Sequence, residues 1–264
     1  CIEEMMAQSP APVECVGIGT PGSVNPQTGV VGFANNLNFE NTPLGSMIEK
    51  RVHCPVYLAN DADAAALGEY YAGAGRGSRS MVAVTLGTGV GTGLVLDGRL
   101  YAGAHWAGGE LGHTVICMDG EPCNCGRRGC WEAYSAAPAL IRQTQSAMQA
   151  HPESKLWPEL SEVSGKTVFQ AVAMGDATAQ AVLDFYVKAL AVGLSNVVNS
   201  LDPDVLCLGG GISGAGEALM RPLEKAMEGQ SYARPGQQTT KLVLAQLGND
   251  AGLVGAAMLH RQHH

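Results

Sequence analysis

The sequence predicts an α/β fold, because short apolar runs alternate with helical segments along its 264 residues. Four of these runs have the length and composition of buried strands: 13–18, 55–59, 81–86 and 205–208. Each is followed closely by glycine or by asparagine and aspartate, which are turn-forming residues. Ligands in open α/β sheets bind beside the carboxyl ends of strands, so these turns are the first places to look for a site.

The first forty residues carry two turn signals. Residues 1–9 are interpreted as the end of a helix, and the strand at 13–18 runs into a turn that ends at Gly22. This turn fits either ligand approach or plain chain reversal. Residues 25–29 form a second turn, and an asparagine-rich loop that includes Asn36 precedes a helix at 43–51.

The strand at 55–59 ends in Asn60 and Asp61, directly before a helix at 62–71. A carboxylate at the junction of a strand end and a helix start is well placed for chemistry. The alternative is that Asp61 only caps the helix. An amide beside the carboxylate favours a site.

A flexible link at 73–80 is a candidate domain boundary. After it, strands at 81–86 and 93–96 flank the segment 87–93, in which glycine alternates with small residues. The segment lacks the lysine of a P-loop and does not open into a helix, so it matches neither common nucleotide fingerprint. Such a glycine-rich hairpin lets backbone amides and threonine hydroxyls approach a phosphate, although close packing would also require glycine.

The segment 106–132 contains four residues with metal-ligand spacing: His113, Cys123, Cys125 and Cys130. A tetrahedral Cys3His zinc site explains why three cysteines lie within eight residues joined by glycine, whereas free clustered thiols would be prone to oxidation. Since protein fills all four positions, the zinc is expected to be structural. Glu110 and Glu132 lie on either side of the set.

The remainder of the chain is predicted to be mainly helical. Helices are expected at 136–160, 165–173 and 177–199, and the last of these has the apolar spacing of a core helix. The strand at 205–208 leads into a second glycine-rich turn at 209–214. A short strand at 241–244 and a helix at 251–260 complete the prediction.

The composition excludes several classes of protein. Hydrophobic residues make up 46% and charged residues 15%, and the net charge of −8 argues against nucleic acid as a partner. We expect no apolar run long enough to span a membrane and no signal peptide. The five cysteines outside the metal set are scattered, which is typical of reduced thiols and a cytoplasmic protein.

Four motifs in order resemble the ROK family of bacterial sugar kinases and repressors, and especially its glucokinases. They are LANDAD at 58–63, LGTGVGTG at 86–93, GGELGH at 108–113 with CNCGRRGCWE at 123–132, and DPDVLCLGGGIS at 202–213. The resemblance implies an actin-like ATPase fold, related to ribonuclease H, with two α/β domains around a cleft. We expect these domains at 1–78 with 250–264, and at 79–249.

The resemblance also implies ATP-dependent phosphorylation of a hexose, at the 6-hydroxyl of glucose, with Asp61 as general base and Mg²⁺ accompanying ATP. The residues implied to bind the sugar are Asn60, Glu110, His113 and Glu132, with Asn36 and Gly22 at its edge. The residues implied to bind ATP are Gly87, Thr88 and Gly89 for the phosphates and Gly210 and Gly211 for the adenosine. A homodimer is expected on the same basis.

One feature departs from the family pattern. ROK kinases open with a strand-hairpin motif of the D-x-G-G-T type that holds phosphates and magnesium, and nothing in this chain matches it. The chain begins downstream of the expected place, so we expect it to bind sugar but to phosphorylate poorly by itself.

Two alternatives stay open. The substrate could be N-acetylmannosamine, N-acetylglucosamine, fructose or allose. The protein could also be a sugar-responsive repressor with a DNA-binding segment ahead of Cys1, and the residues before Cys1 would distinguish a kinase from a regulator.

Overall fold

A computed structural model describes residues 1–34, 37–152, 154, 162–232 and 239–263. The chain divides into two compact units. The first comprises Cys1–Ala83, Gly93–Gly109 and Ala245–His264, and the second comprises Val84–Thr92 and Glu110–Leu244. Residues 79–83, 93–109 and 245–249 group with the first unit, whereas the predicted boundaries place them in the second domain.

In chain order, the helices and strands of the described residues are α1 (Ile2–Gln8), β1 (Val16–Thr20), β2 (Ser23–Asn25), β3 (Val30–Ala34), β4 (Phe39–Thr42), α2 (Leu44–Val52), β5 (Val56–Asn60), α3 (Asp61–Ala72), β6 (Met81–Leu86), β7 (Val90–Leu96), β8 (Arg99–Leu100), α4 (Glu132–Ser135), α5 (Ala137–Ala150), α6 (Thr167–Ala173), α7 (Ala177–Leu201), β9 (Val205–Gly209), α8 (Glu217–Met227), β10 (Lys241–Leu244) and α9 (Ala251–Met258). Strands predominate in the first hundred residues, and four of these helices follow one another between β8 and β9.

In the first unit, β1 and β5 form a parallel pair in which Val16 lies opposite Val56 and Thr20 opposite Asn60. Both strands therefore end at the same edge. The turn after β1 and the Asn60–Asp61 junction after β5 meet there, as expected for a ligand-binding edge of an α/β sheet.

The antiparallel sheet β2–β3–β4 was missed by the sequence analysis, which interpreted this region as turns and a polar loop. Its strands have three to five residues. Glycine and asparagine interrupt them, so the alternation signal of a strand is weak. Val24, Val31 and Ala34 are buried and pack with residues of α2 and β5 in one apolar cluster.

Helices α3 and α9 cross at very close range because small residues lie at the contact. A Cβ atom on Gly255 would lie 1.6 Å from the Ala64 carbonyl oxygen, and one on Gly68 would lie 2.1 Å from that of Ala251. Helix α9 also lies against β1, since a Cβ on Gly17 would be 1.8 Å from the Ala256 carbonyl oxygen. Glycine is therefore required at these positions.

A five-stranded sheet has the order β10–β9–β6–β7–β8. Strand β7 begins at Val90, so the predicted hairpin at 87–93 is shorter than expected and only Gly87, Thr88 and Gly89 form the turn. The alternating glycines beyond Val90 are compatible with an extended strand, and they leave room for Ala66 against Gly93.

Helix α7 is the central core helix of the second unit. An 18-residue window of this 25-residue helix has a mean hydropathy of 1.5. By length and composition alone, α7 could therefore cross a membrane, contrary to the expectation that no such run exists. However, 67% of that window is buried within the protein, as in a core helix. The helix ends at Leu201, and its C-cap Asp202 adopts a left-handed conformation with φ of 42° just before Pro203.

Substitution of Gly255 tests the close crossing of α3 and α9. Gly255→Ala places a methyl group on the Ala64 carbonyl, so we expect the free energy of unfolding to fall by about 3 kcal/mol, the upper end for overpacking. Gly252→Ala is the matched control in the same helix, because no heavy atom of the described residues lies within 4 Å of its added Cβ. This control should gain up to about 1 kcal/mol from helix propensity. Equal Tm values for the two variants in thermal unfolding would contradict the crossing.

Candidate functional site

Four potential metal ligands converge in the second unit. The ligand atoms of His113, Cys123, Cys125 and Cys130 all lie within 4.8 Å of one another. Cys125 Sγ is 3.6 Å from Cys130 Sγ, and Cys123 Sγ is 3.6 Å from His113 Nδ1. Two sulfurs bound tetrahedrally at about 2.3 Å from one zinc ion would be about 3.8 Å apart. The donor set and its spacing therefore fit a closed tetrahedral zinc site.

The loop that carries the cysteines is shaped by backbone turns and two isolated bridges. Val115 pairs with Cys130 and Pro122 with Arg128, both antiparallel. Gly129 has φ of 77°, and its added Cβ would lie 1.7 Å from the Cys117 carbonyl oxygen, so only glycine fits there. These turns direct three thiols toward one point without a helix or a strand.

The thiols differ in electrostatic environment. The backbone N–H of Arg127 is the main cause that lowers the pKa of Cys125, which is exposed. Burial raises the pKa of Cys130 to about 12. Because the metal-binding form is the thiolate, a cation at this point would have to displace a proton from Cys130 at neutral pH.

Glu132 connects the cluster of His113 and the three cysteines to the glycine-rich turn. Its Oε1 lies 4.0 Å from Cys123 Sγ, while its Oε2 accepts a hydrogen bond of 3.0 Å from the backbone N–H of Val90. A Cβ on Gly89 would lie 2.4 Å from the same Oε2. Gly89 therefore makes room for the carboxylate, which sets the start of β7.

Glu110 precedes a short 3₁₀ turn, Leu111–His113, of which His113 is the last residue. The Leu111 N–H donates to Thr92 Oγ1 at 3.3 Å, and the turn lies so close to β7 that a Cβ on Gly112 would be 2.3 Å from the Val90 carbonyl oxygen. Glu110 is exposed and His113 is half-buried. Both predicted sugar-side residues are thus held beside the strand that Glu132 also contacts.

Thr92 and the Val90 amide help to position the turn at Leu111 and the Glu132 carboxylate, respectively. Neither role was predicted from the sequence. The alternation of threonine with glycine in β7 was the available signal for Thr92, whose hydroxyl accepts from Leu111. A backbone amide such as that of Val90 leaves no side-chain signal.

The two glycine-rich turns are adjacent. Gly87 donates its N–H to the Gly89 carbonyl at 3.0 Å and accepts from the Ala137 N–H at 2.8 Å. Gly210 has φ of 84°, and its added Cβ would lie 2.5 Å from the Leu86 carbonyl oxygen. The turns after β6 and β9 therefore form one edge, and Thr88, Gly210 and Gly211 are exposed there. Such turns offer backbone amides to a phosphate.

In the first unit, Asn60 is the N-cap of α3. Its Oδ1 accepts from the Ala62 N–H at 2.8 Å, and its Nδ2 donates to the Gly22 carbonyl at 3.0 Å. Asn60, rather than Asp61, is therefore the cap, although asparagine and aspartate are both preferred at this position. Asn60 also joins the turn after β1 to the start of α3.

Asp61 occupies the first position of α3 and is exposed. Its Oδ1 accepts from the Ala62 N–H at 2.9 Å, so one oxygen of the carboxylate is held at the start of the helix. Gly22 has φ of 96°, and its added Cβ would be 2.0 Å from the Phe33 carbonyl oxygen. Asn36 lies outside the described residues.

The structure groups the predicted residues within each unit. In the second unit, it brings together Glu110, His113, Glu132, the three cysteines and the turns at Gly87–Gly89 and Gly210–Gly211. In the first unit, it brings together Gly22, Asn60 and Asp61.

Comparison with known proteins identifies the family. A model of the ROK family matches residues 1–263. The chain belongs to the ROK family. The Thermotoga maritima glucokinase is 40% identical to it over 253 residues, which are 94% of this chain and 79% of that enzyme.

Two solved ROK structures resemble the chain closely. A ROK family glucokinase from Streptomyces griseus, in complex with glucose and AMPPNP, has a TM-score of 0.81 and 35% identity, covering 99% of this chain and 86% of that one. A ROK family transcriptional regulator, a homolog of E. coli MLC, has a TM-score of 0.86 and 32% identity, covering 99% of this chain and 66% of that one. The predicted ROK membership and actin-like ATPase fold are confirmed.

Proposed function

We propose that this ROK protein is an ATP-dependent glucokinase that phosphorylates the 6-hydroxyl of glucose. The observation that carries the proposal is the similarity to glucokinases over nearly the whole chain, at 40% identity to the Thermotoga maritima enzyme. The regulator is the second candidate, because its structure has the higher TM-score of 0.86. Formation of glucose 6-phosphate from ATP and glucose by the full-length protein supports the kinase, whereas sugar binding without turnover supports the regulator.

Asp61 acts as the general base in this proposal. Its exposed carboxylate accepts the proton of the sugar hydroxyl while that oxygen attacks the γ-phosphate in line. Glu110, His113 and Glu132 bind sugar hydroxyls, since carboxylates accept several hydrogen bonds at once. His113 turns Nδ1 toward Cys123 and so keeps Nε2 for the sugar.

The glycine-rich turns bind ATP in this proposal. Gly87, Thr88 and Gly89 offer amides and a hydroxyl to the phosphates, and Gly210 and Gly211 lie beside them for the adenosine. Mg²⁺ accompanies ATP and neutralises charge on the phosphates. Among the sugars, glucose is preferred because of the glucokinase relatives.

We further propose that His113, Cys123, Cys125 and Cys130 hold one structural zinc. Zinc would supply no chemistry here beyond fixing the loop, because four protein ligands close its coordination. The support is the spacing of the ligand atoms, all within 4.8 Å. The loop ends at Glu132, so the metal would orient a sugar-binding carboxylate.

Elemental analysis should find one zinc per chain. Cys125→Ser should remove most of the metal and weaken glucose binding by about 10- to 100-fold, because Glu132 loses its support. Cys117→Ser is the matched control, since Cys117 is an exposed thiol of the same loop outside the ligand set. Metal-free protein with full glucose affinity by calorimetry would reject the site.

Asp61→Asn should lower kcat by about 10²- to 10⁴-fold, because the amide keeps the shape of the side chain but cannot take the proton. Glucose affinity should stay within about tenfold, which is about 1.4 kcal/mol. Steady-state kinetics and calorimetry on the full-length protein measure the two effects.

Glu110→Gln and Asp184→Asn are to be compared with Asp61→Asn. Glu110→Gln should weaken glucose binding more than it lowers kcat, because this carboxylate holds the sugar in both ground and transition states. Asp184→Asn alters an exposed carboxylate on α7 that bonds to Gln180 of the same helix and should change neither quantity. An Asp61→Asn enzyme with near wild-type turnover would place the base elsewhere.

We also propose that the full-length protein is a homodimer, as expected from the ROK resemblance. Light scattering at micromolar concentration should give twice the chain mass. A monomer mass would reject this part of the proposal.

A further inference from the structure

Glu69 is a buried carboxylate that the proposed reaction does not use. It lies near the carboxyl end of α3, and only 3% of its surface is exposed. Its Oε1 accepts from the N–H groups of Gln246 at 2.9 Å and Leu247 at 2.7 Å, and its Oε2 accepts from that of Ala74 at 2.9 Å. One side chain thus ties the end of α3 to two other backbone segments of the first unit.

The two tethered segments flank α3 in different ways. Ala74 lies two residues beyond α3, so its bond closes the carboxyl end of the helix. Gln246 and Leu247 precede α9, which begins at Ala251. The Glu69 carboxylate therefore fixes α3 to the segment that leads into α9, and Gly73 leaves the space that this carboxylate occupies.

The Glu69 tether matters because small residues form the contact between α3 and α9. The helices meet through Gly68 on Ala251 and Gly255 on Ala64, with backbone against backbone. Large side chains that interdigitate set the relative position of most packed helices, and small residues provide only shallow ridges and grooves. A specific polar contact can set register where apolar packing does not, as buried polar groups do in coiled coils.

Asp61 is the first residue of the same helix. Because a helix is stiff along its axis, a shift or rotation of α3 moves its first turn as much as its last. We propose that Glu69 is a positioning residue for Asp61, which fixes the register of α3 against α9 so that the Asp61 carboxylate meets the reacting hydroxyl. This inference rests on the proposed kinase function and on Asp61 as its base.

Glu69→Gln tests the proposal with little change in shape. An amide nitrogen replaces one of the two oxygens and faces the Gln246 N–H in either orientation, because that N–H lies 2.9 Å from Oε1 and 3.1 Å from Oε2. The tether to the segment that leads into α9 is therefore weakened. In the full-length protein, kcat should fall about tenfold or more, since misplacement of a catalytic group by about 1 Å can cost about 100-fold. The KM for glucose should change less than about threefold, because Glu110, His113 and Glu132 are untouched.

Glu49→Gln is the matched control. Glu49 Oε1 also accepts a backbone N–H, that of Val56 at 3.1 Å, but Glu49 lies on α2 and does not contact α3 through this bond. Both variants lose a carboxylate–backbone bond in the same unit. Only Glu69→Gln should lower kcat, whereas an equal loss of kcat in both would reveal a general loss of stability and overturn the proposal.

A double-mutant cycle with Asp61→Asn tests whether Glu69→Gln lowers kcat through Asp61. If Glu69 acts through Asp61, Glu69→Gln should lower the residual kcat of the Asp61→Asn enzyme by less than about twofold. A further tenfold loss in that background would overturn the positioning role. If Glu69→Gln does not fold, Glu69→Asp, which keeps the charge on a shorter side chain, should show the same split between kcat and KM.

The two proposals fail in different ways. Wild-type protein that forms no glucose 6-phosphate would overturn the kinase function, and the Glu69 inference with it. An active wild-type enzyme whose folded Glu69→Gln variant keeps its kcat would overturn the positioning role alone.

Discussion

The convergence of His113 and three cysteines on one point is the constraint on which the second unit's site depends. The segment that supplies the thiols has only turns and two isolated bridges, so it gains little order from regular backbone pairing. Four ligand atoms within 4.8 Å give it a fixed centre. From that centre the chain passes through Trp131, which is fully buried, to Glu132 at the start of α4.

Glu132 transmits this order to the glycine-rich turn. The same carboxylate lies against Cys123 on one side and accepts the Val90 amide on the other, and Gly89 leaves the space for it. Its position is therefore determined by the cluster and by β7 together. Trp131 packs against α7, since its ring fills the space that a side chain at Gly193 would occupy. This explains how a loop without regular structure can hold Glu132, the proposed sugar-binding residue, in place.

Much of this site could be predicted from local sequence signals. The spacing of His113 and the three cysteines predicted that these four residues would cluster, because metal coordination requires particular residue types within a short distance. Apolar runs located β6 and β10 with correct bounds, and α7 to within two residues. The antiparallel sheet β2–β3–β4 was missed because its strands are short and interrupted by turn formers. The roles of the Val90 amide and of Glu69 were hidden because they depend on backbone groups distant in sequence, such as that of Leu247.

The proposed closed zinc site at the Cys3His cluster would order the loop that leads to Glu132. Zinc K-edge X-ray absorption on the purified full-length protein tests this proposal most directly. We expect three sulfur ligands at about 2.3 Å and one nitrogen at about 2.0 Å, unchanged on addition of glucose because a closed site has no open position. A spectrum with oxygen ligands, or one that changes its coordination with glucose, would contradict a closed structural site.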